Sequence, residues 1–270
     1  MVSESYCLTI VTVVRNDADA LAATLDSVAA QRREGIEHLI VDGASDDATT
    51  AMLDRARQTP GTRVVSEPDR GIYDAMNKGW HLAQGRYVQY LNAGDVFASD
   101  DEAAWVVARL NDSHDEWLRT RVRFVADDGR ATRPLPSVAI TRRFWWGWQP
   151  VLHQGAFMSR DLLQQLDGFA ENLRIVGDYD LMQRALAAGV VPVTDARVTV
   201  DVDAAGVSTQ RWRDGLVEMH RSRVVGRSVP LRTASALDMG THVAVVGVKR
   251  TLRRGAEGIL GEQRVSAIRS

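Results

Sequence analysis

The chain has 270 residues, of which 45% are hydrophobic and 25% are charged. This composition is typical of a soluble globular protein and excludes intrinsic disorder. The 33 basic and 35 acidic side chains leave a formal charge of −2, which excludes a dedicated nucleic-acid-binding protein. The length suits one domain of about 200 residues with an extension, or two small domains.

Cysteine content and apolar runs indicate the compartment of the protein. Cys7 is the only cysteine in the sequence, so neither an intrachain disulfide nor a thiolate zinc site is possible. Residues 1–5 lack the basic start and apolar core of a signal peptide. The apolar run Val243–Val248 is far shorter than the ~20 residues of a membrane-spanning helix. We therefore expect a cytoplasmic protein.

The first hundred residues alternate strand and helix patterns. Leu8–Val14 is a run rich in β-branched residues, as expected of a strand buried on both faces. Asn16 and Asp17 can cap the helix that follows. The later predicted elements are strands over 38–41, 62–65 and 86–91, and helices around Met52 and Leu53, over 71–84 with Gly85 as C-cap, and after a capping box of Ser99 and Glu102. These βα units predict an α/β fold whose mostly parallel sheet is covered by helices on both faces.

The second half of the chain has a weaker pattern. Loops and short antiparallel strands are expected between residues 112 and 150. Helices are predicted over 159–166 and 178–188, and a strand-rich stretch over 190–202. After Gly206 the sequence becomes basic and helical.

The charges are distributed unevenly. Residues 1–100 carry 9 basic and 15 acidic side chains, net −6, whereas residues 211–270 carry 12 and 5, net +7. Two interpretations of the basic helical segment 211–254 stay open. It either contacts an anionic membrane surface at the periphery, or it is a solvated helix packed on the domain.

Acidic residues follow several predicted strands at the point where each strand ends. They are Asp42, Asp46 and Asp47 after the second strand, the segment 67–71 after the third, and Asp95 after the fourth. Ligands of open α/β sheets bind beyond the carboxyl ends of the strands. Carboxylates there are costly unless hydrogen-bond donors or a cation face them, and a divalent metal with a nucleotide would supply both. The alternative is that each aspartate is a turn residue or a helix cap.

Two other nucleotide-binding classes lack their glycine-rich loops here. The first strand leads into Val14–Asp17, which contains no Gly-x-Gly-x-x-Gly, and no Gly-Lys-Ser/Thr occurs in the chain. A nicotinamide-dependent dehydrogenase and a P-loop enzyme are therefore excluded.

Four segments carry a resemblance to a known family. They are VDGASDD at 41–47, EPDRGIYDAMNKG at 67–79, LNAGD at 91–95 and VGDYDL at 176–181. In order and spacing they resemble family 2 glycosyltransferases of the GT-A fold, in the branch of colanic-acid and other surface-polysaccharide transferases. The resemblance implies a glycosyltransferase domain at 1–205, with a nucleotide-binding half at 1–100 and an acceptor half at 101–205, followed by a basic helical extension at 206–270.

The resemblance implies roles for the acidic residues at the strand ends. Asp42 matches the carboxylate that holds the nucleotide base, and Asp69 matches a second contact to base or ribose. Asp95 matches the last aspartate of the metal-binding DxD motif, so a divalent metal, Mg²⁺ or Mn²⁺, is the expected cofactor. The segment 92–95 departs from that motif because it keeps only one carboxylate, and His153 is a candidate to share the metal.

Further contacts with the nucleotide-sugar are implied at Thr12, Asn16, Asn77 and Asn92. Asn77 matches the asparagine of the family's ARNxG pattern. Met76 stands where that pattern has an arginine, a departure at the contact that this helix makes with the nucleotide.

Asp178 matches the aspartate that acts as general base in the family. Inverting transfer requires the acceptor hydroxyl to lose its proton as it attacks the anomeric carbon. The alternative is that Asp178 is only the N-cap of its helix, worth ~1 kcal/mol. Asp180 is expected to cap or pair locally.

An aromatic cluster lies just upstream of a polar pair. Trp145, Trp146 and Trp148 either pack under the acceptor half or form a platform for a sugar ring or polyprenyl acceptor. His153 and Gln154 resemble the family's HQ pair near the metal and pyrophosphate. A structural histidine is the alternative.

These features predict an inverting glycosyltransferase that moves a sugar from a nucleotide-diphospho-sugar to a glycan or lipid-linked acceptor, with no nucleic-acid partner. The protein is expected in the cytoplasm, and on the inner face of the cell membrane if segment 211–254 binds lipid. The alternative function is a nucleotide-sugar-binding protein that keeps the GT-A fold without turnover.

Overall fold

A computed structural model of the chain describes residues 6–31, 34–113, 115–125, 131, 134, 152–203, 211–224, 237, 240, 241 and 244. Its strands are β1 (Leu8–Val14), β2 (Ile36–Asp42), β3 (Thr62–Ser66), β4 (Tyr87–Tyr90), β5 (Val96–Phe97), β6 (Trp117–Val125), β7 (Ala156–Ser159) and β8 (Val193–Asp203). Its helices are α1 (Ala18–Ala30), α2 (Thr49–Arg57), α3 (Ile72–Leu82), α4 (Glu102–Asn111), α5 (Arg160–Gln165), α6 (Gly177–Ala187) and α7 (Trp212–Val224), with one 3₁₀ turn (His153–Gly155). The α/β fold class is confirmed.

The eight strands form one sheet in the order β3-β2-β1-β4-β7-β6-β8-β5. β3, β2, β1 and β4 are parallel neighbours, and all residues of β1 and β2 are buried. The continuous apolar run of β1 therefore marks a strand covered on both faces, as predicted. Because these four strands are parallel, their carboxyl ends meet at one edge of the sheet.

The second half of the sheet is mixed rather than mostly parallel. β7 is antiparallel to both β4 and β6, and β5 is antiparallel to β8, whereas β6 and β8 are parallel. β6 has nine residues, where only loops and short antiparallel strands are expected from the sequence. The arginines of β6 interrupt its apolar pattern, so the sequence does not predict this strand, although the Arg119 side chain is buried.

The N-caps predicted for two helices, α1 and α4, can be compared with the structure. Asp17 is the N-cap of α1, and its Oδ1 accepts from Ala20 N at 3.3 Å, as predicted. The capping box predicted at Ser99 is wrong: α4 begins at Glu102 with Asp101 as N-cap. The Ser99 hydroxyl instead donates to the carboxylate of Glu102 at 2.8 Å.

Gly85 has a different role from the predicted C-cap. α3 ends at Leu82 with Ala83 as its C-cap. A Cβ at Gly85 would lie 2.6 Å from Thr9 N, so position 85 needs glycine because the chain passes against the backbone of β1. The helices predicted over 159–166 and 178–188 are α5 and α6.

Apolar side chains fill both faces of the sheet. Val11 packs in one cluster with Met76 of α3 and Tyr179 of α6, while its neighbour Ile10 packs on the opposite face with Leu110 of α4. This alternation follows from the two-residue repeat of a strand. The helices thus cover both faces, as predicted.

The extension is partly integrated into the domain. Met219 of α7 is buried in the cluster that contains Tyr179, so α7 packs on the domain. Most of segment 211–254, together with Trp145, Trp146 and Trp148, lies outside the described residues. In the part of the chain that is described, no helix is long and apolar enough to span a bilayer.

Candidate active site

The loop after β2 is built around Asp42, the last residue of that strand. The side chain is fully buried and accepts from Ser45 N at 3.1 Å and from the Ser66 hydroxyl at 2.6 Å. The Ser45 hydroxyl donates to the other carboxylate oxygen. These donors offset the desolvation of the charge. Asp42 therefore fixes this loop, and its direct contact with a nucleotide base stays a prediction.

Asn16 joins the loop after β1 to the loop after β2. Its φ is 51°, a left-handed conformation that asparagine adopts more readily than most residues. Its side-chain amide donates to Asp46 Oδ1 at 2.9 Å and accepts from Asp46 N at 3.0 Å. Asn16 N also donates to Ser45 Oγ at 2.8 Å. Since Asn16 is exposed, the two loops form an ordered rim that faces solvent.

Asp69, in the loop after β3, lies against the same rim. A Cβ at Gly43 would come within 2.3 Å of Asp69 Oδ2 and 3.2 Å of Arg15 Cδ, so the side chains of Asp69 and Arg15 lie directly against Gly43, where the three loops meet. Asp69 Oδ1 accepts from Gly71 N at 3.0 Å. Asp69 is partly exposed, and of the predicted base contacts it is the accessible one.

Thr12 lies inside the sheet rather than at the rim. It is fully buried, and its hydroxyl forms a hydrogen bond with His38 Nε2 at 3.0 Å. The structure therefore does not bring Thr12 together with Asn16 and Asp69.

Asp95 is a buried carboxylate next to the end of β8. Its Oδ2 accepts from Gln154 Nε2 at 3.0 Å and its Oδ1 from Asp203 N at 3.3 Å. Burial raises the pKa of Asp95 to about 6, against the lowering effects of His153 and of the Gln154 hydrogen bond. An ionised carboxylate in this place would be stabilised by a cation.

A second carboxylate, that of Asp203, approaches Asp95. The Asp203 carboxylate lies beside Gly94, the residue before Asp95: a Cβ added to Gly94 would lie 3.7 Å from Asp203 Oδ2. Among the described residues, no group of three or more His, Cys, Asp or Glu side chains could hold a metal ion. Mg²⁺ is commonly held by one or two carboxylates together with substrate phosphates. Asp95 with Asp203 fits that mode of binding, in which the substrate completes the coordination.

Asn92, His153 and Asp178 form a hydrogen-bonded chain across the edge of the sheet. Asn92 Nδ2 lies 3.0 Å from His153 Nε2, and His153 Nδ1 lies 3.2 Å from Asp178 Oδ2. With the Asn92 amide nitrogen as the donor, Nε2 of His153 accepts and its Nδ1–H donates to Asp178. Both ring nitrogens thus have protein partners, and the metal contact predicted for His153 stays a prediction.

Asp178 is held at the start of α6 without being its N-cap. The N-cap residue is Val176, while Asp178 Oδ1 accepts from Tyr179 N at 2.8 Å. The Asp178 side chain is 8% exposed. With one oxygen on the helix backbone and the other on His153, the carboxylate has a defined orientation at the edge where Asp95 lies.

Asn77 connects α3 to the loop before α6. Its Nδ2 donates to Phe169 O at 2.9 Å, and its Oδ1 accepts from Phe169 N at 2.8 Å and Trp80 Nε1 at 3.1 Å. Nδ2 also lies 3.3 Å from Glu171 Oε1. The side chain is buried and occupied by these partners, so the structure gives it a positioning role, and its contact with the nucleotide-sugar stays a prediction.

The structure therefore brings most of the predicted residues to one edge in two groups. The first group is the rim of Asn16 and Asp69 above Asp42, and the second is Asp95 with Asn92, His153 and Asp178. Sequence reasoning missed two kinds of residue. Ser45 and Ser66 gave no signal beyond their places near strand ends. Asp203 contacts Asp95 across 108 positions of sequence, and its only signal was an acid at the end of the last strand.

The rim and the carboxylate edge lie at the carboxyl ends of the parallel strands, where ligands of open α/β sheets bind. The chain belongs to glycosyl transferase family 2, whose family model matches residues 9–167. The resemblance noted from the four segments is thereby confirmed, as is the identification of the chain as an enzyme, a glycosyltransferase.

Relatives and solved structures agree with this assignment. A glycosyltransferase of Mycobacterium tuberculosis, itself uncharacterised, is 35% identical over 209 residues, which cover 76% of this chain and 78% of that protein. Staphylococcus aureus TarS 1–349 in complex with UDP superposes with a TM-score of 0.64 at 17% identity, over 81% of this chain and 64% of that one. A mannosyltransferase from Pyrobaculum calidifontis in complex with GDP-Man and Mn²⁺ gives 0.62 at 20% identity, over 94% and 80%. At these identities the two structures confirm the GT-A fold.

Proposed function

We propose that the chain is an inverting glycosyltransferase that uses a nucleotide-diphospho-sugar and a divalent cation, with Asp178 as general base. The observation that carries the proposal is the chain Asn92–His153–Asp178 beside the buried Asp95. It holds a carboxylate in a fixed orientation next to a second one that favours a cation. A glycan or lipid-linked molecule with a free hydroxyl is the proposed acceptor.

The rim after β1, β2 and β3 is the proposed site for the nucleotide. Asp69 contacts the base or the ribose, because its carboxylate is partly exposed and is placed by Gly43 and Gly71. Asn16 and Asp42 hold the two loops that frame it. One solved neighbour contains UDP and another GDP-Man, so both bases belong in the test.

Asp95 and Asp203 are the proposed ligands of the divalent cation. When bound, the cation neutralises the negative charge that develops on the diphosphate leaving group. The two carboxylates would hold it, and the Gln154 amide, which donates to Asp95 Oδ2 at 3.0 Å, orients the Asp95 side chain.

Asp178 takes the proton of the acceptor hydroxyl as its oxygen attacks the anomeric carbon. The new carbon–oxygen bond forms while the bond to the diphosphate breaks, and its electron pair leaves with the nucleoside diphosphate. His153 donates to Asp178 through Nδ1 and orients the carboxylate toward the acceptor.

The test of this proposal is Asp178→Asn. The variant keeps the shape of the side chain and loses the base, so we expect transfer to fall by about 10²–10⁴-fold, the typical contribution of general-base catalysis. Binding of the nucleotide-sugar, measured by calorimetry, should be unchanged. Asp161→Asn, at an exposed aspartate in the first turn of α5, is the matched control and should be as active as the wild type. Wild-type transfer by Asp178→Asn would exclude Asp178 as the base.

A further inference from the structure

Glu218 of α7 binds the backbone just before the helix that carries Asp178. Its carboxylate accepts from Arg174 N at 3.1 Å, from Ile175 N at 2.9 Å and from Val176 N at 3.4 Å. The three donors are consecutive in sequence and lie 42 to 44 positions before Glu218. A carboxylate that receives several backbone N–H groups forms charge-assisted hydrogen bonds, which are stronger than neutral ones.

Two further contacts hold the first turn of α6. A Cβ at Gly177 would lie 2.7 Å from Cε2 of Tyr73, so the Tyr73 ring of α3 packs against this residue, and Tyr179 N donates to Asp178 Oδ1 at 2.8 Å. The first turn of a helix otherwise has unpaired N–H groups. The start of α6 is therefore fixed by groups from α3 and α7.

Packing supports the same contact. Met219, next to Glu218, is buried in the core, and a Cβ at Gly215 would lie 3.2 Å from Ile175 Cγ2. The Ser222 hydroxyl donates to Asp180 Oδ1 at 2.7 Å. α7 thus contacts the chain on both sides of Asp178, at residue 175 and at residue 180.

We infer that Glu218 is a positioning residue for Asp178: its carboxylate fixes residues 174–176, so that α6 begins where Asp178 meets His153. The catalytic consequence rests on the proposed function of Asp178 as the base. It follows that the catalytic unit extends past residue 205 and includes α7, which lies outside the residues matched by the family model.

The test compares Glu218→Ala and Glu218→Gln in the full chain, with Asp214→Ala as control. Asp214 is on the same helix, but it is exposed and pairs with Arg211. In Glu218→Ala we expect faster hydrogen exchange at amides 174–176 and a changed ¹⁵N signal of His153 Nδ1. We also expect kcat to fall by about 10²-fold, the size of effect that a misplaced catalytic group can have, with KM for the donor unchanged. Glu218→Gln keeps an acceptor oxygen and should be intermediate. Asp214→Ala should match the wild type in every readout.

The outcomes separate this inference from the proposed function. If the wild type transfers no sugar, the proposed function fails, and the exchange and ¹⁵N measurements still decide whether Glu218 positions Asp178. Unchanged exchange at 174–176, an unchanged His153 signal or a wild-type kcat in Glu218→Ala would overturn the inference. If Glu218→Ala does not fold, Glu218→Gln decides in its place, and wild-type behaviour of that variant in all three readouts overturns the inference.

Discussion

At the scale of single residues, Asp95 combines a structural cost with a proposed function. Its carboxylate is 4% exposed, and burial raises its pKa from 3.8 to about 6. A buried ionised group weakens a fold unless something compensates for its charge. This cost agrees with the proposal that a cation binds at Asp95 and compensates for its charge.

The raised pKa of Asp95 predicts a pH dependence of stability. Well below pH 3.8 the carboxyl is protonated in the folded and unfolded states; as pH rises from there toward 6, the unfolded chain ionises first. The metal-free protein should lose up to about 3 kcal/mol of unfolding free energy over this range. Asp95→Asn should remove this loss, which urea denaturation in chelator at pH 4 and pH 7.5 measures.

Metal addition completes that comparison. Mn²⁺ at pH 7.5 should stabilise the wild type and leave Asp95→Asn unchanged, because a ligand that binds only the folded state stabilises it. Equal stabilisation of both proteins by Mn²⁺ would contradict the assignment of Asp95 as a metal ligand.

At the scale of the elements, the site depends on contacts between parts of the chain that are distant in sequence. α3 holds the loop before α6 through Asn77, and α7 holds the segment next to it through Glu218. Both contacts hold the chain that leads into α6, so α3 and α7 together fix the segment before Asp178, the proposed base.

Asn77→Ala tests the connection between α3 and this loop. It leaves the buried donors Phe169 N and Trp80 Nε1 without their acceptor, and we expect a loss of about 2–3 kcal/mol of unfolding free energy. Asn111→Ala, at an exposed asparagine that accepts from Arg86, should cost less than about 0.5 kcal/mol. Weaker binding of the nucleotide-sugar without loss of stability in Asn77→Ala would instead show a direct contact with the donor.

Local pattern predicted the elements whose signals are local. The apolar run of β1 and the cap at Asp17 are examples, because burial on both faces and helix capping leave their marks in neighbouring residues. β6 was not predicted because its arginines interrupt the apolar pattern, although a strand can bury the stem of an arginine such as Arg119. The capping box predicted at Ser99 was wrong because the Ser99 hydroxyl donates to the Glu102 side chain. The contacts of Asp95 and of the segment before Asp178 follow from the folded chain alone, since Asp203 and Glu218 lie far away in sequence.

At the scale of the whole molecule, the acidic first part and the basic last part of the chain have different roles. Five acidic residues of the first part lie at or after the ends of strands β2, β3 and β4, at the carboxyl edge of the sheet where a cation is proposed to bind: Asp42, Asp46, Asp47, Asp69 and Asp95. α7, which belongs to the basic extension, packs on the domain through Met219. We propose that the remainder of segment 211–254 contacts an anionic membrane surface, because its charge is almost all arginine and is interleaved with apolar residues.

Sedimentation with vesicles tests this contact. Vesicles containing anionic lipid should pellet the full chain at low salt but not a chain that ends at about residue 235, which keeps α7, because surface attraction is electrostatic and screened by salt. Neutral vesicles are the control. Equal pelleting of both chains would exclude the segment after residue 235 as the membrane contact.

The most direct test of the central claim is release of nucleoside diphosphate from a panel of UDP-, GDP- and dTDP-sugars, with Mn²⁺ or with chelator. We expect that one donor is turned over, that chelator stops release of the nucleoside diphosphate, and that Asp178→Asn binds this donor without releasing the product. Addition of lipid-linked acceptors should accelerate release by the wild type. A donor that binds but is never turned over, with Mn²⁺ and lipid-linked acceptors present, would contradict the account and identify a nucleotide-sugar-binding protein without catalysis.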